Sequence, residues 1–178
     1  MTAAQVRERK LEKNFAMLDL NRDGVIDKAD IKAVAQRFCE QVGEDLDSPK
    51  QRELQNALNQ FWGAVDSDGN GQLSLQEYVA AMTALADRPG ELERLLNPPH
   101  RAYFGMLDRD NDGAISQAEF NAAFARSGLT QAERDEAFGR LDTDHDGSVR
   151  TEELVDAAVE FYRSSDPDAP ASYLNGFF

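Results

Sequence analysis

Four stretches of twelve residues carry oxygen-bearing side chains in matching places: DLNRDGVIDKAD from Asp19 to Asp30, DSDGNGQLSLQE from Asp66 to Glu77, DRDNDGAISQAE from Asp108 to Glu119, and DTDHDGSVRTEE from Asp142 to Glu153. Positions 1, 3 and 5 are Asp19, Asn21 and Asp23; Asp66, Asp68 and Asn70; Asp108, Asp110 and Asp112; Asp142, Asp144 and Asp146. Position 12 is Asp30, Glu77, Glu119 or Glu153. Oxygens alternating over so short a span can surround a hard cation. Position 6 is Gly24, Gly71, Gly113 or Gly147, where a chain wrapping a small ion must turn sharply. Every acidic cluster in the chain belongs to one of these loops, so none is left over for catalysis, and no enzyme activity is expected.

The elements that must hold these loops are legible in their flanks. Apolar residues stand one and four positions before each loop: Leu18 and Phe15, Val65 and Trp62, Leu107 and Phe104, Leu141 and Phe138. After each loop come Ile31, Val34 and Ala35; Tyr78, Ala81 and Met82; Phe120, Ala123 and Phe124; Leu154, Ala157 and Ala158. This spacing draws one apolar stripe along a helix on either side. Position 8 is Ile26, Leu73, Ile115 or Val149, too apolar to serve the ion and suited to a short strand between neighbouring loops.

Helix, oxygen-rich loop, helix, four times over, is the EF-hand. The expected fold is all-α: four EF-hands in two pairs packed into one compact body, with short β pairing between the loops of each pair. Residues 1–90 would form the N-terminal pair (loops 19–30 and 66–77) and residues 91–165 the C-terminal pair (loops 108–119 and 142–153). Residues 166–178 would be a linker and an apolar tail, ASYLNGFF, expected to dock into a groove between the pairs. Thr2 with Gln5 and Thr130 with Glu133 have capping-box spacing, and Ser48-Pro49 marks another helix start. DRPGELERLLNPPHRA, between the halves, reads as a structured bend with two proline breaks.

Composition narrows the function. A formal charge of -14 argues against nucleic acid and anionic membrane surfaces. No apolar run is long enough to span a bilayer, and no N-terminal segment looks like a secretory signal. The single Cys39 cannot form an internal disulfide. A cytoplasmic monomer is expected, with four divalent ions bringing the charge to about -6 by simple addition. His100, after two prolines at a helix start, His145 at position 4 of loop four, and Trp62 read as packing or surface residues.

The ligand sets then separate the loops. Glu77, Glu119 and Glu153 can each give two oxygens, completing a seven-oxygen calcium shell with the side chains of positions 1, 3 and 5 and the carbonyls of Gln72, Ala114 and Ser148. Ser74 and Ser116, at position 9, would hold a bridging water. Loop three, with four carboxylates, is expected to be the tightest. Loop four carries Arg150 at position 9, a positive charge that should weaken it. Loop one offers Asp19, Asn21, Asp23, the Val25 carbonyl, Asp27 and Asp30. Asp30 is about one bond, or about 1.5 Å, shorter than glutamate. A six-oxygen shell results, which suits Mg2+ as well as Ca2+.

Four loops at uneven spacing, Asp30 closing the first, and a short apolar tail resemble the sarcoplasmic calcium-binding proteins, most closely their bacterial calerythrin-like branch. The resemblance implies an intracellular Ca2+/Mg2+ buffer or transporter. Relatives of that kind often have a degenerate second loop, whereas this chain keeps Asp66, Asp68, Asn70 and Glu77. Two alternatives stand beside it. A calcium sensor would expose a methionine-rich groove to a target protein, but apart from the initiator only Met17, Met82 and Met106 are available, scattered at core positions. A carrier of the luciferin-binding type would need a cavity lined by histidine, tyrosine and tryptophan, for which the two histidines look poorly placed.

Overall fold

The computed structural model describes residues 2–88 and 90–166. The apolar tail therefore lies outside the described residues. Eight helices follow in order: α1 (Ala3–Leu18), α2 (Lys28–Val42), α3 (Pro49–Val65), α4 (Leu75–Ala86), α5 (Glu91–Leu107), α6 (Gln117–Ala123), α7 (Gln131–Leu141) and α8 (Thr151–Arg163), with a 3-10 turn at Phe124–Arg126. Two-residue strands lie in the loops: β1 (Val25–Ile26), β2 (Leu73–Ser74), β3 (Ile115–Ser116) and β4 (Ser148–Val149). β1 pairs antiparallel with β2, Ile26 opposite Leu73, and β3 with β4, Ile115 opposite Val149. All four position-8 side chains are buried, so each loop pair is stapled through its apolar residue.

Helix starts follow local rules. Thr2 and Gln5, and Thr130 and Glu133, form reciprocal capping boxes, and Ser48 caps α3 with Pro49 at its first position. The inter-half segment corrects the sequence expectation. α4 ends at Ala86 and α5 begins at Glu91, while Pro98 and Pro99 lie inside the continuous helix α5. An interior proline costs about 3 kcal/mol or more, because it removes a backbone donor and crowds the preceding turn. That cost is local. The gain is not: Leu92, Leu96, Tyr103 and Met106 on α5 are all fully buried, each worth roughly 1.5–3 kcal/mol.

The most extensive helix contacts are α3 with α5 and α5 with α8, so the entering helix of the third hand packs against the second and fourth. α1 packs against α4 and α8, and a continuous core joins Phe15, Trp62 and Tyr78. The Phe15 and Tyr78 rings are 5.8 Å apart, and those of Trp62 and Tyr78 5.7 Å. Polar ties close the same body. Lys10 Nζ donates to the Ser164 and Asp166 carbonyls, both 3.2 Å away, and stands 4.6 Å over the Phe161 ring. A cation at a helix C-terminus satisfies carbonyls that have no partner inside the helix. Arg163 in turn bonds Glu93 at 2.7 Å and the Ala86 carbonyl at 3.0 Å, joining α8 to the bend between α4 and α5.

Candidate metal centre

Each loop is built by the same backbone bonds. The position-1 carboxylate accepts from the position-6 glycine: Gly24 to Asp19 at 3.0 Å, Gly71 to Asp66 at 2.9 Å, Gly113 to Asp108 and Gly147 to Asp142 at 3.1 Å. The position-5 side chain accepts from the position-7 amide: Val25 to Asp23, Gln72 to Asn70, Ala114 to Asp112 and Ser148 to Asp146. These bonds wind each of the four segments into the same tight turn.

Position 4 is a feature that sequence reasoning missed. Arg22, Gly69, Asn111 and His145 all adopt left-handed backbone, φ 60, 69, 57 and 58. Only Gly69, and to a lesser degree Asn111, announce that conformation by residue type. His145 is thus a backbone-turn residue, exposed at the loop surface.

In loops two, three and four the carboxylates converge. Oxygens of Asp66, Asp68 and Glu77; of Asp108, Asp110 and Glu119; and of Asp142, Asp144 and Glu153 lie within 4.8 Å of one another in each group. Three anionic oxygens at that separation repel unless a cation stands among them, and their hardness and number fit Ca2+. Position 9 does something else. Ser74 and Ser116 cap the following helices by accepting from the Glu77 and Glu119 amides, and their hydroxyls donate to those same carboxylates at 2.7 and 2.8 Å. They hold the closing glutamate. Glu119 also accepts from the Arg109 amide at 2.9 Å; burial pulls its pKa upward, but these donors outweigh it and leave the group below the usual carboxylate range.

Loop one differs at two places. Position 3 is the amide Asn21, and no converging trio of carboxylates is found there among the described residues. Asp30 is only 2% exposed; its oxygens accept from the amides of Leu20 at 3.0 Å, Asn21 at 3.4 Å and Asp27 at 3.2 Å. Asp27 caps α2, accepting from the amides of Ala29 and Asp30. Both side chains are engaged in closing the loop, and Asp30 replicates the bonds of the longer glutamates from one methylene further back. Loop four keeps its trio, but the Arg150 guanidinium lies 2.9 Å from Asp146 Oδ2.

His100 needs a second correction. It is not at a helix start but in the middle of α5, 3% exposed, its Nδ1 2.6 Å from the Leu96 carbonyl. Burial pushes its pKa down to about 4. With Trp62, Tyr103 and Tyr162 it lines a largely apolar pocket of about 40 Å³, to which α2, α3, α5 and α8 all contribute.

Four helix–loop–helix units, joined loop to loop by β pairing, define a four-EF-hand metal-binding architecture. Residues 8–83 and 100–159 match the family described as an EF-hand domain pair. Calerythrin of Saccharopolyspora erythraea is 31% identical over 170 residues, spanning 91% of this chain and 94% of its own. A Streptomyces coelicolor calcium-binding protein, whose structure is described as a basis for prokaryotic calcium-mediated regulation, superposes with a TM-score of 0.73 at 27% identity, covering 88% of this chain and 98% of its own. Calcium-loaded apo-aequorin from Aequorea victoria shares the fold, with a TM-score of 0.75 at 22% identity over 92% of this chain and 93% of its own. The chain belongs to the EF-hand family, as a calcium-binding repeat protein related to calerythrin.

Proposed function

We propose that this protein is a Ca2+/Mg2+ buffer or transporter of the cytoplasm, with Ca2+ in loops two, three and four and Mg2+ in loop one at rest. Asp66, Asp68, Asn70 and Glu77; Asp108, Asp110, Asp112 and Glu119; and Asp142, Asp144, Asp146 and Glu153 would supply the calcium side-chain ligands. Asp19, Asn21, Asp23 and Asp30 would supply those of the mixed site. Within one body, residues 1–90 and 91–165 act as the two pairs.

The observation that carries this reading is the covered apolar surface. Among the described residues, only Leu46 and Leu75 are large apolar side chains classed as exposed, and Met82 and Met106 are sealed in the core. A sensor needs a groove that a target helix can enter. Here α5 packs against α3 and α8, Lys10 ties the middle of α1 to the end of α8, and Arg163 ties that end to the end of α4.

The sensor reading has one specific support, the calcium-mediated regulation attributed to the Streptomyces coelicolor relative. A luciferin-type carrier is disfavoured by the volume of the Trp62–His100 cavity, not by the placement of its histidine. The deciding experiment is a Ca2+ titration, with and without millimolar Mg2+, in the presence of a dye that fluoresces on apolar surface. A buffer binds without gain in dye signal and loses loop-one Ca2+ uptake to Mg2+. A sensor gains signal with the calcium isotherm.

A further inference from the structure

Helix α2 begins in loop one and ends against loop three. Its first turn carries Asp30, and Asp27 caps it. At its other end the Val42 carbonyl accepts a hydrogen bond from the guanidinium of Arg109, position 2 of loop three. Gly43, at φ 72, terminates α2 in the left-handed backbone that favours glycine. The Arg109 amide donates to Glu119, the residue that closes loop three. Along the same helix the Phe38 ring packs at a tilt of 44° against Tyr103 of α5, centroids 4.8 Å apart, and α2 also touches α6 and the 3-10 turn after it. One helix of 15 residues, about 22 Å long, thus reaches from a loop of the first pair to every part of the third hand. The β pairing links only loop one with two and loop three with four.

We propose that Arg109 couples loop three to loop one across the pair boundary, so that a divalent cation in loop three raises the affinity of loop one. The inference rests on the reading of loop one as a metal site. Its sign follows from charge. Without a cation, Asp108, Asp110, Asp112 and Glu119 compete with the Val42 carbonyl for the guanidinium. A dication offsets two of those four negative charges, and the negative end of α2 becomes the better partner. α2 is then held at its C-terminus, and less of it remains to be ordered when loop one closes at its N-terminus. By reciprocity, an ion in loop one strengthens loop three by the same factor. Arg109 is exposed, so its removal leaves the core intact.

The test uses the full chain, 15N-labelled, in a Ca2+ titration. The Gly24 and Gly113 amides, each bonded to the first aspartate of its own loop, report the two sites separately. Disabling loop three by Glu119→Gln is expected to shift the Gly24 midpoint to about fivefold higher Ca2+, the low end of usual coupling. In an Arg109→Ala background the same Glu119→Gln change should leave the Gly24 midpoint where it was, and Arg109→Met, which keeps the aliphatic stem, should behave alike. In chelator, either Arg109 variant should speed hydrogen exchange at Gly43 and Glu44. A Gly24 midpoint indifferent to Glu119→Gln overturns the coupling while leaving loop one a metal site, as does a dependence that survives loss of Arg109. A Gly24 amide that no divalent cation moves overturns the loop-one site and the coupling with it.

Discussion

The guanidinium of Arg150 lies 2.9 Å from Asp146 Oδ2, so the ninth residue of loop four already holds the fifth. The Ser148 hydroxyl and Arg150 both donate to Asp146 and keep its carboxyl below the usual carboxylate range. If Asp146 is a ligand of loop four as proposed, an incoming Ca2+ would have to take that carboxylate from a tethered cation and then tolerate the cation nearby. Arg150→Ser is therefore expected to raise loop-four affinity by about two- to fivefold, given that exposed ion pairs are individually weak. Chelator-driven release followed by stopped flow, with the Gly147 amide as the site reporter, should show slower dissociation. An unchanged release rate would remove Arg150 from the account.

Asp30 sets a second expectation. Its oxygens reach the Leu20 and Asp27 amides just as Glu119 reaches those of Arg109 and Ser116, yet from one methylene further away from the loop centre. Asp30→Glu should supply the second oxygen that a calcium shell requires and make loop one resemble its three siblings. Calorimetric titration should then show Ca2+ binding at loop one that millimolar Mg2+ no longer competes away. If Mg2+ competition persists undiminished, position 12 is not what selects the ion.

Much of this was readable from the chain. Loop ligands, turn glycines and apolar stripes are local signals with fixed spacing, and the structure forms all four loops and both β pairings where they indicate. What escaped was non-local. Pro98 and Pro99 read as breaks because their cost is visible in sequence, whereas the burial of Leu96 and Tyr103 against α3 and α8 is not. The bond from Arg109 to Val42 spans 67 residues, and no periodicity announces it. His100 read as standing at a helix start for the same reason: only the continuity of α5 places it mid-helix and buried.

Burial of His100 also predicts a pH response in the metal-free protein. Its pKa falls to about 4 in the folded chain, against about 6.5 when unfolded. The unfolded state therefore binds the extra proton first, and folding stability contributed by the neutral ring is complete above about pH 6.5 and lost as pH falls toward 4. The full effect is at most about 3 kcal/mol. Urea unfolding in chelator at pH 7 and pH 4.5 should show a stability loss that His100→Gln largely removes. An equal loss in both proteins would assign the acid sensitivity to other groups.

Metal removal should be felt through the whole fold, because the loops hold the helix ends that build the core. Carboxylate trios within 4.8 Å stabilise nothing by themselves; only with an ion among them does their proximity favour the folded chain. A ligand present at a thousand times its dissociation constant adds about 4 kcal/mol per site. For a chain of this size that corresponds to about 8–16 °C in Tm for each such site. Excess chelator should therefore lower Tm by tens of degrees relative to Ca2+-loaded protein. Glu119→Gln, which opens one trio while leaving the apolar core untouched, should lower the loaded Tm by about 10 °C and leave the chelated Tm nearly unchanged. Equal losses in chelator and in Ca2+ would mean that Glu119 serves the fold through its bonds to the Arg109 and Ser116 amides and not through an ion.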